Sequence, residues 1–201
     1  MSGRLIVVEG LDGVGKTTLS RALASVLDAE WTSTPGSAFD PVRPTIDAVL
    51  RDHPEALQLF YASTLLAASD RARRWLAEGR SVVVDRYWCS TVAYAGLQGR
   101  SLDLGAIAER LVPADATLFV DLAEEERVRR LRARGMTDAD AASLQPLAAA
   151  TLRAHFVRAL KEPLAGNVRP LLLDGLSTEA AVHAARMALR DAVAAPSLWS
   201  H

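Results

Sequence analysis

Short apolar runs recur along the chain, and each has the length and composition of a buried strand. Residues 5–8, 82–84 and 116–122 are mainly apolar and rich in β-branched side chains, which is typical of strands covered on both faces. Two weaker runs, 30–33 and 168–174, complete the set, and the proline in the last run suits an edge strand. The pattern therefore predicts five strands.

Between these runs the apolar residues return every three or four positions, which is the period of an amphipathic helix. Leu19, Ala22, Leu23, Val26 and Leu27 follow this spacing after the first strand. Strands that alternate with helices predict βαβ units, a parallel sheet and helices on both of its faces. The chain is therefore predicted to have an α/β fold. Further helices are predicted at residues 41–50, 54–79, 124–134, 146–160 and 178–193.

The glycine-rich stretch after the first strand has the spacing of a phosphate-binding loop, Gly-x-x-x-x-Gly-Lys-Thr. Glycine lets backbone N–H groups approach a polyphosphate closely, and the N-terminus of the next helix adds a partial positive charge. Lys16 is expected to reach the β- and γ-phosphates, and the Thr17 hydroxyl to bind Mg²⁺. The stretch predicts a P-loop NTPase fold and an ATP site formed by Gly10, Asp12, Gly13, Val14, Gly15, Lys16, Thr17 and Thr18.

An Asp-Arg pair comes where the strand at residues 82–84 ends. Ligands of open parallel sheets bind beyond the carboxyl ends of the strands, so Asp85 and Arg86 are expected to lie beside the phosphate loop. A carboxylate suits Mg²⁺ or its waters, and a guanidinium can bind a phosphate through two hydrogen bonds. We interpret Asp85 as a metal ligand with Thr17, and Arg86 as a phosphate ligand. A surface ion pair is the alternative.

The helix predicted at residues 124–134 begins with three glutamates and ends in an arginine-rich stretch. One interpretation is structural, because acidic residues first and basic residues last stabilise the helix dipole. The other is catalytic, because such a cluster can close over a transferring phosphoryl group. Residues 135–146, polar and rich in alanine, are predicted to form a short lid. The arginines concerned are Arg127, Arg129, Arg130, Arg132 and Arg134.

The composition narrows the class of protein. The chain has 201 residues, half of them apolar, which suits a single domain over residues 1–201. A formal net charge of -1 gives no sign of binding to a nucleic-acid polymer or a membrane. The one cysteine excludes an internal disulfide, no apolar run is long enough to span a membrane, and the first strand begins at once. We therefore expect a cytoplasmic protein with a loose tail after about residue 196.

Three stretches of the chain resemble the thymidylate kinase family of nucleoside monophosphate kinases. They are residues 9–18, which contain the phosphate loop, residues 85–96 and residues 128–135, and the resemblance extends over most of the chain. It implies transfer of the γ-phosphoryl group of ATP to a pyrimidine nucleoside monophosphate, with dTMP as the expected acceptor and Mg²⁺ as the cofactor. It also implies that the protein forms a homodimer.

The resemblance further implies roles for individual residues. Asp12 would contact the sugar hydroxyl of the acceptor, Arg86 its phosphate and Phe60 its base, and Tyr94 would lie under the sugar. Family members without an arginine in the loop carry catalytic arginines in the lid, and Val14 and its neighbours provide none in the loop here. The implied catalytic residues are Lys16, Asp12, Arg86, Arg130, Arg132 and Arg134. The implied acceptor-binding residues are Asp12, Phe60, Thr64, Arg86, Ser90, Thr91 and Tyr94.

Two positions depart from the family pattern. Thr64 stands one helical turn after Phe60, where the family usually has an arginine that contacts the thymine edge. Ser33 replaces the arginine of the family's Thr-Arg-Glu-Pro-Gly stretch, and Arg43 is an alternative ligand of the acceptor phosphate. The phosphate loop and residues 85–91 also resemble the animal mitochondrial UMP–CMP kinase paralogue. UMP, CMP, dUMP and dCMP are therefore alternative acceptors.

Three other functions remain open from the residues alone. A nucleoside kinase would need a general base for an un-ionised hydroxyl, and Glu9 or Asp85 could serve. A GTPase-like switch is disfavoured because the chain has no Asn-Lys-x-Asp stretch to bind guanine. A protein that binds nucleotides without catalysis would account for the two missing family arginines.

Overall fold

The computed structural model describes residues 3–99 and 102–194, and these contain one five-stranded sheet. The strands are β1 (Leu5–Gly10), β2 (Glu30–Ser33), β3 (Val82–Asp85), β4 (Ala116–Asp121) and β5 (Asn167–Leu172). Their order is β2-β3-β1-β4-β5, and each neighbouring pair is parallel. The predicted five-stranded parallel sheet is confirmed, with β5 at an edge as Pro170 indicated.

Helices connect and cover the strands. Within the described residues they are α1 (Lys16–Val26), α2 (Arg43–Val49), α3 (Pro54–Ala77), α4 (Trp88–Leu97), α5 (Gly105–Ala108), α6 (Glu124–Ala133), α7 (Asp138–Ser143), α8 (Pro146–Ala159) and α9 (Thr178–Ala194). Helix α1 packs against α9, whereas α4 packs against α3 and α8, so two helical layers enclose the sheet. A search of the described helices finds none long and apolar enough to cross a membrane.

The register of the sheet brings the functional residues to one edge. All six residues of β1 are buried, because this strand lies at the centre of the sheet and has helices on both sides. Val8 pairs with Asp85 of β3, and Gly10 pairs with Val120 of β4. The three central strands therefore end at nearly the same level. The phosphate loop leaves β1 at this level, beside Asp85 and Arg86.

Two local predictions differ from the structure. The spacing places Val26 on the apolar face of α1, but the residue is 52% exposed, because it ends the helix and borders an open groove beside α9. The helix predicted from residue 41 begins at Arg43, with Pro44 in its first turn, where a missing N–H group leaves no helical hydrogen bond unmade. Neither difference changes the site.

The segment predicted as a lid contains the short helix α7. Thr137 caps it: its hydroxyl oxygen accepts a hydrogen bond from the Asp140 N–H group, and the Asp140 carboxylate accepts one from the Thr137 N–H group. This reciprocal pair satisfies two N–H groups that a helix start leaves free. The lid is therefore an ordered helical turn that leads into α8. The tail predicted after residue 196 lies outside the described residues.

Candidate active site

The phosphate loop connects β1 to α1 and packs closely against α6. Gly13 and Gly15 have φ values of 87° and 98°, a region in which residues with a Cβ atom are strained. A Cβ atom on Gly13 would lie 2.8 Å from Cγ of Leu131 and 3.1 Å from Cγ of Arg127. The loop therefore has a shape and a close contact that require glycine.

The other side chains of the loop differ in exposure. Val14 is fully buried, Thr18 is exposed at the start of α1, and Lys16 is only 4% exposed. The Lys16 Nζ group donates a hydrogen bond to the Leu11 carbonyl oxygen at 2.6 Å. Burial and, to a smaller extent, the charge of Arg86 lower the pKa of Lys16 to about 7, although the nearby carboxylates oppose this shift. A phosphate in the loop would provide the negative charge that favours protonated Lys16.

Thr17 and Asp85 meet where β3 ends. The Thr17 hydroxyl donates to Oδ2 of Asp85 at 2.5 Å. The second carboxylate oxygen, Oδ1, is buried and has no hydrogen-bond partner within the described residues. A hydroxyl and a carboxylate with an unused oxygen are hard ligands of the kind that Mg²⁺ prefers. Thr17 and Asp85 therefore fit the divalent cation that the sequence predicts at this position.

Asp12, Arg86 and Tyr94 form a charged cluster beside the loop. Arg86 donates to the Asp12 carboxylate and, at 3.3 Å, to the Ser90 hydroxyl oxygen. The Tyr94 hydroxyl donates to the other Asp12 oxygen at 2.5 Å, and the guanidinium of Arg86 lies 5.6 Å from the centre of the Tyr94 ring. This acceptor cluster thus presents a guanidinium and a carboxylate in fixed positions.

Burial and charge act in opposite directions on this cluster. Burial raises the pKa of Asp12, but the charges of Arg86 and Lys16 and the Tyr94 hydrogen bond outweigh it and hold that pKa below its usual range. Burial lowers the pKa of Arg86, and the Asp12 charge more than reverses this. Burial and the Asp12 charge both raise the pKa of Tyr94. Asp12 is therefore ionised and Tyr94 protonated at neutral pH, which suits a carboxylate that accepts hydrogen bonds.

Glu9 supports the cluster from inside the protein. It is fully buried at the end of β1 and accepts hydrogen bonds from the N–H groups of Tyr87 and Ser90, at 2.9 and 3.0 Å, and from the Ser90 hydroxyl at 2.5 Å. Burial raises the pKa of Glu9, and these hydrogen bonds oppose the rise. Glu9 was considered as a general base, but its carboxylate is occupied in fixing the start of α4.

A cavity of about 880 Å³ opens in front of the acceptor cluster. Thr17 and Asp85 line one part of it, and Ser33 and Arg43, the two positions noted for the acceptor phosphate, line another. Thr64 is buried at its wall and donates its hydroxyl to the Tyr61 carbonyl at 2.8 Å. The predicted acceptor-binding residues that line the cavity are Asp12, Thr64, Arg86, Ser90, Thr91 and Tyr94.

The aromatic residue at the cavity differs from the one expected. Tyr61 lines the cavity, whereas Phe60, which the family resemblance assigns to the base, is not among the lining residues. The Phe60 ring packs edge-on against Phe39 at 5.7 Å and against Tyr61 at 5.2 Å. The Tyr61 hydroxyl donates to Asp47 at 2.8 Å. Adjacent positions on a helix point about 100° apart, so a shift of one residue changes which ring faces the cavity.

The arginine-rich end of α6 separates into side chains with different surroundings. Arg134 lines the cavity. Arg130 lies beside the phosphate loop, where its Nη1 atom is 3.2 Å from the position of a Cβ atom on Gly15, and it also donates to Glu126 at 2.8 Å. Arg132 is exposed and is not among the lining residues. The catalytic interpretation remains a prediction for all three arginines.

The remaining two arginines of the stretch have other surroundings. Arg129 forms a two-point ion pair with Glu126, at 2.6 and 2.7 Å, as the structural interpretation of the stretch expects. Hydrogen bonds from Arg129 and Arg130 lower the pKa of Glu126 to about 2. Arg127 is fully buried against the loop. Nothing in the spacing of the stretch distinguished it from its neighbours.

Trp31, which the sequence analysis does not select, lines the cavity together with Arg21. The Arg21 guanidinium lies 4.4 Å from the centre of the Trp31 ring, and the indole N–H group donates to the Ser20 hydroxyl at 2.9 Å. Trp31 belongs to an edge strand whose carboxyl end reaches the same site as Asp85. Its place near the carboxyl end of a strand is the feature of the sequence that could have predicted Trp31 at the site.

A central parallel sheet, a glycine-rich loop before α1 and a Thr–Asp pair beside it define the P-loop NTPase fold. The sequence model of the thymidylate kinase family matches residues 8–165. The chain belongs to the thymidylate kinase family.

Curated relatives and solved structures agree with this assignment. The thymidylate kinase of Xanthomonas campestris pv. campestris is 36% identical over 152 residues, which are 66% of this chain and 62% of that protein. The match thus spans less than two thirds of that relative. The enzyme of Prochlorococcus marinus is 38% identical over 157 residues, 67% of this chain and 72% of that protein. Thymidylate kinase structures from Candida albicans and Ehrlichia chaffeensis match with TM-scores of 0.69 and 0.66, each at 20% identity, and cover 94% of this chain and 92% and 100% of theirs. These two structures support the fold.

Proposed function

We propose that this protein transfers the γ-phosphoryl group of ATP to dTMP and releases dTDP and ADP. One observation carries the proposal: Asp12 and Thr17 of the phosphate loop line the same cavity as Arg86 and Tyr94. A donor held by the loop and an acceptor held by the cluster would therefore meet in one space. Membership of the thymidylate kinase family supports dTMP as the acceptor.

The reaction requires charge neutralisation and alignment more than proton transfer. The acceptor phosphate of a nucleoside monophosphate is already ionised, so no strong general base is needed, and two approaching phosphates repel each other. Lys16 and Arg130 lie on the loop side of the site, and Arg86 lies on the acceptor side. We assign Arg86 to the acceptor phosphate, and Asp12 and Tyr94 to its sugar.

Mg²⁺ is part of the proposal. Thr17 and Asp85 would hold it, because the hydroxyl contacts Oδ2 of Asp85 beside the loop and Oδ1 has no hydrogen-bond partner within the described residues. When bound, the ion would neutralise charge on the phosphate oxygens. Removal of Mg²⁺ with a chelator is expected to abolish turnover.

Arg134 is the lid arginine that the cavity favours for the transition state. Its side chain is 53% exposed and forms a 2.8 Å ion pair with Asp140, whose carboxylate also accepts two hydrogen bonds from Thr137. Arg134 can therefore leave Asp140 for a phosphate without leaving that carboxylate unpartnered. A lid that closes over both substrates also keeps water from accepting the phosphoryl group.

The proposal is tested by ADP release in a coupled assay with Mg-ATP and separate acceptors: dTMP, dUMP, dCMP, UMP, CMP and thymidine. We expect dTMP to give the highest kcat/KM. Lys16→Ala, with an unchanged far-ultraviolet circular dichroism spectrum, is expected to lose turnover by about 10³-fold or more. Higher activity with thymidine than with dTMP would indicate a nucleoside kinase, and a preference for UMP or CMP would refute dTMP as the acceptor. ATP binding without acceptor-dependent release would leave a nucleotide-binding protein.

A homodimer is the assembly that we propose from the family resemblance. Light scattering after size-exclusion chromatography is expected to give twice the chain mass of 21.6 kDa. A single-chain mass at assay concentration would contradict it.

A further inference from the structure

Arg127 places a permanent positive charge inside the protein. It is the largest of the fully buried side chains. A guanidinium does not lose its proton in a protein, so burial cannot make it neutral. A buried charge is costly unless a partner of opposite charge or several hydrogen bonds compensate it. The surroundings of Arg127 therefore need an explanation.

The compensation that Arg127 receives is small. Its Nη1 atom donates one long hydrogen bond, 3.4 Å, to the backbone carbonyl oxygen of Asp12. Its Nε and Nη2 atoms are buried and have no hydrogen-bond partner among residues 3–99 and 102–194. Within the same residues no carboxylate forms an ion pair with it. Within the described residues, the positive charge of Arg127 is therefore largely uncompensated.

This cation lies in the wall of the phosphate loop. Its Cγ atom would be 3.1 Å from a Cβ atom on Gly13, and the carbonyl group that it contacts belongs to the preceding loop residue. The Arg127 side chain is fully buried behind the loop, so it has no exposed surface with which to contact a ligand. It can act on a ligand only through the loop and through its electric field, which is weakly screened in a buried position.

We propose that Arg127 is a positioning residue whose charge is compensated when a polyphosphate fills the loop. The inference rests on the proposed function only in that the loop binds ATP. Through the Asp12 carbonyl group Arg127 fixes the loop, and through its charge it attracts the phosphates. The proposal has two consequences that can be measured separately. Without ligand, Arg127 adds no net stability to the fold. With ligand, it strengthens the binding of the polyphosphate.

The test compares three variants on one helix. Arg127→Met keeps a long flexible side chain without the charge, and Arg127→Lys keeps the charge. Arg129→Met removes a 73% exposed arginine from the same helix and serves as the matched control. Thermal unfolding is measured without ligand, and the Kd of ATP and of inorganic tripolyphosphate is measured by calorimetry. Neither measurement requires phosphoryl transfer, so the outcome is independent of whether dTMP is the acceptor.

We expect Arg127→Met to unfold at the same temperature as the parent protein or above it, and to bind both polyphosphates about tenfold more weakly. Arg127→Lys is expected to bind within about threefold of the parent, and Arg129→Met within about twofold. A Met variant that does not fold, or that unfolds at a lower temperature with unchanged Kd values, would show that Arg127 is a structural residue and overturn the proposal. Equal weakening in the Lys variant would refute the role of charge.

Discussion

Two arginine–aspartate pairs face the cavity, and they are held in different ways. The side chains of Arg86 and Asp12 are 22% and 23% exposed, and the Tyr94 hydroxyl also binds Asp12. In the second pair, Arg134 directly precedes the predicted lid and is 53% exposed, whereas Asp140 lies within it and is only 5% exposed. The first pair is fixed by the surrounding fold, whereas in the second the aspartate is fixed and the arginine is solvated.

The fixed pair is suited to binding a substrate, and the solvated arginine is suited to a step in which the predicted lid closes. Under the proposed function, the fixed pair preorganises the acceptor side before substrate arrives, so little rearrangement is needed there. The arginine of the second pair is solvated, and Asp140 keeps its hydrogen bonds from Thr137, so this arginine can change partner when the predicted lid closes. The two regions therefore predict different kinetic effects for the same kind of substitution.

The largest effect is expected for the fixed pair. Arg86→Gln should lower kcat/KM for dTMP by about 10³-fold or more, because the acceptor phosphate loses a charged ligand and Asp12 loses its partner. Steady-state kinetics with varied dTMP measures the loss. Arg158→Gln, an exposed arginine of α8 outside the cavity, is the control. A loss below about tenfold would remove Arg86 from the phosphate site.

A smaller effect, of a different kind, is expected in the lid. Arg134→Gln should lower kcat by about 10²-fold and leave the KM for dTMP within about threefold, because the arginine acts only in the closed state. Arg129→Gln, on the helix α6 that ends just before Arg134, should change neither parameter by more than about twofold. A rise in KM with unchanged kcat would instead place Arg134 in ground-state binding.

The lysine of the phosphate loop is expected to make the affinity for ATP depend on pH. The pKa of Lys16 in the empty protein is about 7, and bound phosphate favours the protonated form, so binding takes up protons above that pH. ATP affinity should fall by up to about tenfold for each pH unit above 7, beyond the change that ATP itself causes. Calorimetry in buffers of different ionisation enthalpy measures the uptake. Lys16→Met should abolish it, and an equal uptake in that variant would contradict the assignment.

The smallest effect is expected at Thr137, which caps the helix α7 of the predicted lid. Thr137→Val removes the hydroxyl that caps α7 and contacts Asp140. We expect a two- to threefold fall in kcat, since a lost cap costs about 1 kcal/mol locally. Ser177→Ala removes a comparable contact, to the Ala180 N–H group of α9, far from the cavity. Equal kinetic changes in both variants would show that the effect is general destabilisation.

The sequence predicted those parts of the site that follow from strand order and local motif. Asp85 and Arg86 were placed beside the loop because parallel strands end at one edge, and the register of β1 and β3 confirms it. The direction in which a helical side chain points was less predictable from the sequence: Tyr61, one position after Phe60, lines the cavity. The burial of Arg127 could not be predicted from the sequence, because this residue belongs to an arginine-rich stretch and nothing in the spacing distinguishes it from the exposed arginines nearby.

The Glu9 carboxylate has a consequence for how the protein opens in solution. It holds the backbone amides of Tyr87 and Ser90 and lies at the end of the central strand. The start of α4 therefore cannot detach without exposing a buried carboxylate, so these two amide protons should exchange with deuterium only when the sheet itself unfolds. The amides of α7 should exchange much earlier. We thus expect slow exchange in the unit that carries Arg86 and the start of α4, and fast exchange in the predicted lid.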